Sequence, residues 1–426
     1  MTREISGAVG EPDGSLLLTN ARLLDGSLAD VLLEAGHVRA VTAAGAPRTG
    51  RVHMDLSGHL LLPAPAEPHC HFDKVLLGGL GGARDGGDLD AAVAAWYAAR
   101  ASVSRADVRE RALRAATELL SAGATAIRTH VDVGVTIGLR MVEALSEAGD
   151  LLSGRLLLQT VAFVDFPVRG SAGADNRALL AAALEAGADA VGGAPYRDEN
   201  PAACLDILMT MAAEYGKPVD LHVDESLDPA SDTLGELAEW VLKNGFPHGV
   251  TAGHCVSLGV QPPKAVERTA ARVAEAGICV VTCPQTNLYL QARGHPNPVP
   301  RGLTAVRELR AAGVTVAAGG DNARDPFNPL GRFDPFEAAS LLVLAGHLSP
   351  RSAYDAVSGD ARRAMGLPVP AIEPGGPAEL LAVRALTLEE AMANGRADRM
   401  VFHQGRLVCR TRHECFLPNG LPGTGG

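Results

Sequence analysis

The strongest constraint on this chain is an alternation that runs from about Leu61 to Gly366. Short apolar, β-like runs alternate with Ala-rich amphipathic stretches. The runs are LLPAPAEPHCH from Leu61, AIRTHVDV from Ala126, LLLQTVAF from Leu156 and DAVGGAP from Asp189. PVDLHVD from Pro218, GVTAGHC from Gly249, ICVVTCP from Ile278 and VTVAAGG from Val314 complete the set. Helical stretches lie between most of them. RADVRERALRAATELLSAG from Arg105 and PKAVERTAARVAEAG from Pro263 both end at a Gly, a common helix stop. Strands alternating with helices predict parallel βαβ units, and eight units close most naturally into a (β/α)8 barrel. A doubly wound open sheet competes, but no glycine-rich dinucleotide fingerprint follows the first strand.

The two chain ends have another texture. From Leu16 to Val41, short apolar runs alternate with turn residues such as Asp25-Gly26 and Ala35-Gly36, a hairpin pattern. The same texture returns in AELLAVRA from Ala378 and RMVFHQGRLVCR from Arg399. The expected fold class is therefore α/β: a (β/α)8 TIM barrel with a small β-sandwich domain formed by both chain termini. Residues 1–60 would give the N-terminal part of the sandwich, 61–370 the barrel, and 371–426 the C-terminal part and tail.

Composition removes several function classes. The formal charge is −11 and no basic stripe is visible, which argues against a nucleic-acid partner. Seven scattered cysteines form no CxxC pair, so free thiols in a reducing compartment are expected. The leader MTREISGAVGEPDG has no apolar stretch of the signal-peptide kind, and no apolar run is long enough to span a membrane. The expectation is a cytoplasmic protein without a membrane partner.

Barrel enzymes carry their chemistry at the C-terminal ends of the strands. The first strand ends in EPHCHFDK, with His69 and His71 two residues apart; in a strand, i and i+2 share a face. The second ends with His130 and Asp132, the third carries Gln159, the fifth ends with His222 and Glu225, the sixth with His254, and the eighth with Asp321 and Asn322. A single histidine in an apolar strand is more often a satisfied core residue than a ligand. The recurrence of His and Asp at the same relative point of four strands favours a shared site. His69 and His71 read as half of a metal cage, with His222 and Asp321 as the rest. Three neutral nitrogens and one carboxylate suit Zn²⁺ or Fe²⁺.

These pieces together are similar to one family. EPHCHFDK, RTHVDV, QTVAF, DLHVDE, TAGH and GGDNARDPFNPLG occur in order over most of the chain, from about Leu16 to Arg410. The chain resembles the amidohydrolase superfamily, in its cytosine deaminase-like branch, which also holds N-isopropylammelide hydrolases. The resemblance implies a single divalent metal ion, Zn or Fe, held by His69, His71, His222 and Asp321. It implies Glu225 as the proton shuttle, His254 as the contact to the attacking water, and Gln159 as a hydrogen-bond partner of the substrate ring. His130 and Asp132 match a family motif and are assigned structural roles. Binuclear relatives often bridge two metals with a carboxylated lysine on strand four. Lys occurs here only at positions 74, 217, 243 and 264, so a single-metal site is expected. Lys74 reads equally as a salt-bridge or a substrate-contact residue.

The implied reaction is hydrolytic deamination of a small nitrogen heterocycle. A metal lowers the pKa of its bound water, the resulting hydroxide attacks an amino-bearing ring carbon, and ammonia leaves. Asp321 would take the water's proton and Glu225 would supply protons to the ring and leaving nitrogens. Cytosine deaminases usually show His-Asp-Asp and then Trp at strand eight; this chain has Gly320, Asp321, Asn322 and then Phe327. After QTVAF it reads VDFP in place of a Gln-Glu pair. Both changes fall near the substrate, with Asn322 and Phe327 as candidate contacts, and they put cytosine itself in doubt. Rival readings are an N-alkylamino-heterocycle (triazine-type) hydrolase, a cyclic amide hydrolase, which would want the missing strand-four lysine, and a non-catalytic barrel scaffold. Residues 284–302, PQTNLYLQARGHPNPVPRG, read as a long loop, either a lid or a surface excursion. Family members are commonly multimeric, so a homo-oligomer fits the resemblance, although the sequence does not state one.

Overall fold

The computed structural model describes residues 14–45, 52–78, 87–395 and 397–416. The first sheet takes strands from both ends of the chain. It contains β1 (Leu16–Arg22), β2 (Leu28–Glu34), β3 (His37–Ala43), β4 (Val52–Asp55) and β5 (Leu60–Pro63). The second holds eight strands: β6 (Ala66–Cys70), β7 (Ala126–Val133), β8 (Leu157–Val164), β9 (Ala190–Gly192), β10 (Val219–Val223), β11 (Val250–His254), β12 (Cys279–Thr282) and β13 (Val316–Ala318). The chain then returns to the first sheet with β14 (Leu380–Val383), β15 (Arg399–His403) and β16 (Arg406–Thr411).

The second sheet is parallel throughout and runs in chain order from β6 to β13. Its ends meet: Asp321 N–H donates to the His69 carbonyl at 2.8 Å, and Cys70 and Asp321 form a parallel bridge. The expected barrel is present. Strands buried on both faces are usually apolar throughout; β7 and β10 are buried at every position although they carry polar residues, and Arg128 and His130 are paired with Asp220 inside the barrel. The helices follow from local signals. Arg105–Ser121 starts where the Ser104 side chain accepts from Asp107 N–H, and it buries Val108, Ala112, Ala115, Ala116 and Leu119 along one stripe. It ends just before Gly123, whose φ of +114° an L side chain would not adopt comfortably.

The run expected to begin the barrel at Leu61 divides in two. Leu60–Pro63 pairs antiparallel with β14, in the register Leu60↔Val383, and belongs to the first sheet. Ala64 and Pro65 then turn the chain into β6. Proline has no N–H to offer a ladder, so the break falls where the sequence cannot keep pairing. In the first sheet the order is β16-β15-β14-β5-β1-β2-β3, with β4 beside β1. Leu18, Val31, Leu33, Leu61, Leu380, Met400 and Phe402, from both chain ends, share its own small core. The segment expected as a loop over 284–302 begins instead as a helix, Pro284–Leu290, with Pro at its first turn and Thr286, Asn287 and Leu290 buried.

Candidate active site

Four strand ends bring polar side chains together at the mouth of the barrel. His69 and His71 leave β6, His222 leaves β10, His254 ends β11, and Asp321 follows β13. His222 Nε2 lies 3.3 Å from His69 Nε2 and 3.1 Å from His71 Nε2. Asp321 Oδ1 lies 3.3 Å from His71 Nε2 and 3.8 Å from His69 Nε2. Donors bound at 2.0–2.1 Å to one tetrahedral ion are spaced about 3.3 Å apart. These separations therefore fit a single cation.

The electrostatics agree with the geometry. Burial and the neighbouring imidazoles hold His69, His71 and His222 well below the usual histidine range, so all three are neutral and can ligate. For His71, burial is followed by the charge of Lys74. Both carboxylate oxygens of Asp321 are buried without a hydrogen-bond donor. Its pKa is driven well above the carboxylate range, first by burial and then by Glu225. An unpartnered buried carboxylate is costly, and a divalent cation would resolve it. One further donor lies close by: Cys283 groups with His69, His254 and Asp321, all ligand atoms within 4.8 Å. Burial, then Asp321, pushes its thiol pKa well up.

Backbone geometry is bent to present these groups. His254 (φ 67°) and Asp321 (φ 60°) occupy the left-handed region, which costs non-glycine residues on the order of 1–3 kcal/mol each and clusters at functional sites. Close approach is bought with glycine at two points. A Cβ on Gly253 would meet His69 Cε1 at 2.8 Å, and one on Gly319 would meet the His69 carbonyl at 2.9 Å. Beneath the cluster, the buried Glu67 carboxylate accepts from His69 N–H at 3.1 Å and from Gly320 N–H at 3.0 Å, tying β6 to the segment after β13. Its role was not legible in the sequence.

Glu225 is buried, and burial raises its pKa to about 8 against the opposing pull of Arg197 and the Tyr196 hydroxyl. Tyr196 O–H donates to Glu225 Oε2 at 3.3 Å. His254 Nδ1 stands 3.6 Å from Glu225 Oε1 and 3.9 Å from Asp321 Oδ2. Burial lowers the His254 pKa to about 3. Glu225, His254 and Asp321 thus form one row beside the three histidines.

Lys74 and Asp132 lie next to this row. Lys74 Nζ is 3.1 Å from His71 Nδ1, 3.1 Å from Asp73 and 3.2 Å from Asp132 Oδ1, so its three donors all have partners within the protein. Burial would discharge it, but Asp132 and Asp73 outweigh burial and hold its pKa above the ordinary value. Asp132 also accepts from Trp96 Nε1 at 2.7 Å. His130 is buried and meets Asp220 Oδ1 at 3.1 Å.

Asn322 and Phe327 line the cavity above the cluster together with His71, Glu225 and Asp321. Asn322 Nδ2 donates to Asp325 Oδ2 at 2.8 Å. Gln159 lies elsewhere, away from the cavity lining and not in the substrate contact expected of it. It sits opposite Arg128, near the start of β8, while the cavity is lined by Phe163, four residues further on. Its amide accepts from Arg128 Nε at 3.0 Å and donates to the Met365 carbonyl at 3.3 Å. These partners belong to the floor of the barrel, where the helix Gly359–Ala364 packs against β6, β12 and β13. Replacing Gln159→Ala is expected to lower stability by about 1 kcal/mol, the usual net worth of lost hydrogen bonds, and to leave KM unchanged. Denaturant melts and steady-state kinetics on one preparation check both halves.

Part of the cavity wall, Trp96, Tyr97 and Tyr196, comes from residues that no motif marked. Trp96 and Tyr97, on the helix Leu89–Ala99, face Phe163, Phe166, Tyr196 and Phe327 around it. No helix among the described residues is long and apolar enough to cross a membrane.

Known proteins are similar over most of this architecture. The model of the amidohydrolase family matches residues 152–409. A pterin deaminase from Rhizobium rhizogenes is 35% identical over 393 residues, covering 90% of this chain and 88% of its own. A solved 5-methylcytosine deaminase from Klebsiella pneumoniae, liganded with 5-fluorocytosine, has a TM-score of 0.84 at 31% identity, covering 95% of this chain and 99% of its own. An N-isopropylammelide isopropylaminohydrolase from Burkholderia multivorans has a TM-score of 0.81 at 31% identity, covering 93% and 98%.

Proposed function

The chain belongs to the amidohydrolase family, and from that premise we propose that it hydrolytically deaminates a planar, aminated nitrogen heterocycle. The observation that carries the substrate class is the cavity wall. The whole chain has only two Trp, five Tyr and nine Phe. Trp96, Tyr97, Phe163, Phe166, Tyr196 and Phe327 nevertheless surround one cavity whose floor is the His/Asp/Glu cluster. Aromatic walls favour a flat π-system, and a few convergent polar groups orient it.

His69, His71, His222 and Asp321 would hold one divalent ion, Zn²⁺ or Fe²⁺; both accept this donor set. Such an ion, when bound, acidifies a water toward neutral pH. The remaining steps belong to the side chains. Asp321 Oδ2 accepts the water's proton, and His254 hydrogen-bonds that water through Nε2, which is buried without a partner within the protein. Glu225, with its pKa raised to about 8, is protonated at neutral pH and stands ready as an acid. It protonates the ring nitrogen as water adds to the amino-bearing carbon. Its carboxylate then takes the proton of the adduct's hydroxyl and passes it to the amine, so that the carbon–nitrogen bond breaks, ammonia leaves and the ring keeps an oxo group; the proton held by Asp321 restores Glu225 to its acid form. Asn322 and Phe327 supply substrate contacts.

The pterin deaminase relative places aminopterins first in a test panel, followed by cytosine, 5-methylcytosine and aminotriazines. Ammonia release from metal-loaded protein by any of them supports the proposal. Silence across the panel rejects deamination of these rings. The likeness to the isopropylaminohydrolase favours a second reading, release of an alkylamine from an N-alkylamino ring. It is tested in the same experiment by assaying for alkylamine.

A further inference from the structure

We infer that Asn287 is a positioning residue that sets which ring nitrogen of His254 bears the proton and holds Glu225 beside it. The inference rests on the proposed reading of Glu225 and His254. Asn287 comes from the strand-seven segment, which offered no ligand in the sequence. It lies in the helix Pro284–Leu290 and is fully buried. Asn287 Nδ2 is 3.1 Å from His254 Nδ1 and 3.4 Å from Glu225 Oε1. An amide NH₂ has two hydrogens and no lone pair to offer. One hydrogen goes to each neighbour, so His254 Nδ1 accepts and the ring proton resides on Nε2. Orienting partners of this kind fix the tautomer of a functional histidine.

The helix is itself anchored to the site on both sides. Thr286 Oγ1 accepts from Asn322 N–H at 3.1 Å, and Gln291 Nε2, just past the helix, donates to the Glu225 carbonyl at 3.2 Å. Asn287 therefore has little freedom to follow His254 or Glu225 if either moves. The imidazole and the acid are referenced to one amide, and that amide to the segment carrying Asp321 and Asn322.

Asn287→Asp tests this without changing the side-chain volume. A carboxylate only accepts, so the variant should draw the His254 proton from Nε2 to Nδ1. In zinc-loaded protein labelled with ¹⁵N-histidine, the His254 resonances, assigned by their loss in His254→Gln, distinguish protonated from unprotonated ring nitrogens. Nδ1 should be unprotonated in the parent and protonated in Asn287→Asp. The zinc content should stay the same. The kcat should fall about 10- to 100-fold, the range for orienting partners, with KM changed less than about threefold. A parent protein already protonated at Nδ1, or a variant with an unchanged tautomer, overturns the inference. So does an unchanged kcat on a confirmed substrate. The spectra need no substrate, so failure to find any ring that releases ammonia would count against the proposed function alone.

Discussion

Glu225→Gln is expected to keep its metal and lose turnover by roughly 10²- to 10⁴-fold, the range for removal of a general acid–base group. The substitution is nearly isosteric. It keeps an acceptor for the Tyr196 hydroxyl, 3.3 Å away, so the cavity should retain its shape. What it removes is an ionisable proton. Burial pushes the Glu225 pKa to about 8, which keeps the carboxyl charged with a proton at neutral pH without binding it too tightly to give up. The deficit should appear in kcat, with KM little affected, because the lost interaction is made as protons move and not on binding. Metal analysis and steady-state kinetics on the same preparation decide the matter. A variant with near-normal turnover would remove Glu225 from the chemistry.

His222→Ala should empty the metal site and abolish measurable turnover. His222 is the centre of the donor set, 3.3 Å from one histidine nitrogen and 3.1 Å from the other. Loss of the several kcal/mol that a Lewis acid supplies corresponds to at least about 10³-fold in rate. A thermal experiment adds an internal control. A ligand present at 100 to 1,000 times its Kd stabilises the folded chain by about 2.7–4.1 kcal/mol. In a protein of this size that is worth about 3–5 °C in Tm. A chelator should therefore lower the Tm of the parent protein by about that much and leave His222→Ala unmoved. A chelator effect that persists in the variant would place the metal elsewhere.

How far the sequence could be read depended on what kind of periodicity carried each residue. His69 and His71 were legible because a strand repeats every two residues and the pair falls on one face. His222, His254 and Asp321 followed because each closes an apolar run that could only be a strand. Gln159 failed for a related reason. The run LLLQTVAF marks a strand correctly, but β8 continues to Val164, so a residue near its start points to the floor and not the mouth. Where a side chain sits along a strand matters as much as which strand it is on. Asn287 and the aromatic pair Trp96 and Tyr97 were hidden for another reason. They lie on short helices inserted after strands, where no repeat ties a residue to the site and only three-dimensional packing reveals it. The role of Glu67 was hidden because its partners are backbone N–H groups, of His69 and Gly320, and main-chain hydrogen bonds leave no mark in composition.

The pairing of β5 with β14 also dictates an order of assembly. Leu60 waits for Val383, and at a synthesis rate of about 5–20 residues per second some 15–65 seconds separate their emergence from the ribosome. Throughout that interval β1 to β5 have been made, but the edge that β14 will cover is open, and an open apolar edge is a template for pairing with other chains. Most barrel strands pair with their neighbour in the sequence, but β6 must also wait for the segment after β13 before the barrel closes. The metal site shares this delay: His69 and His71, made early, meet Asp321 only where the barrel's last strand closes on its first, so both sheets are completed late in synthesis.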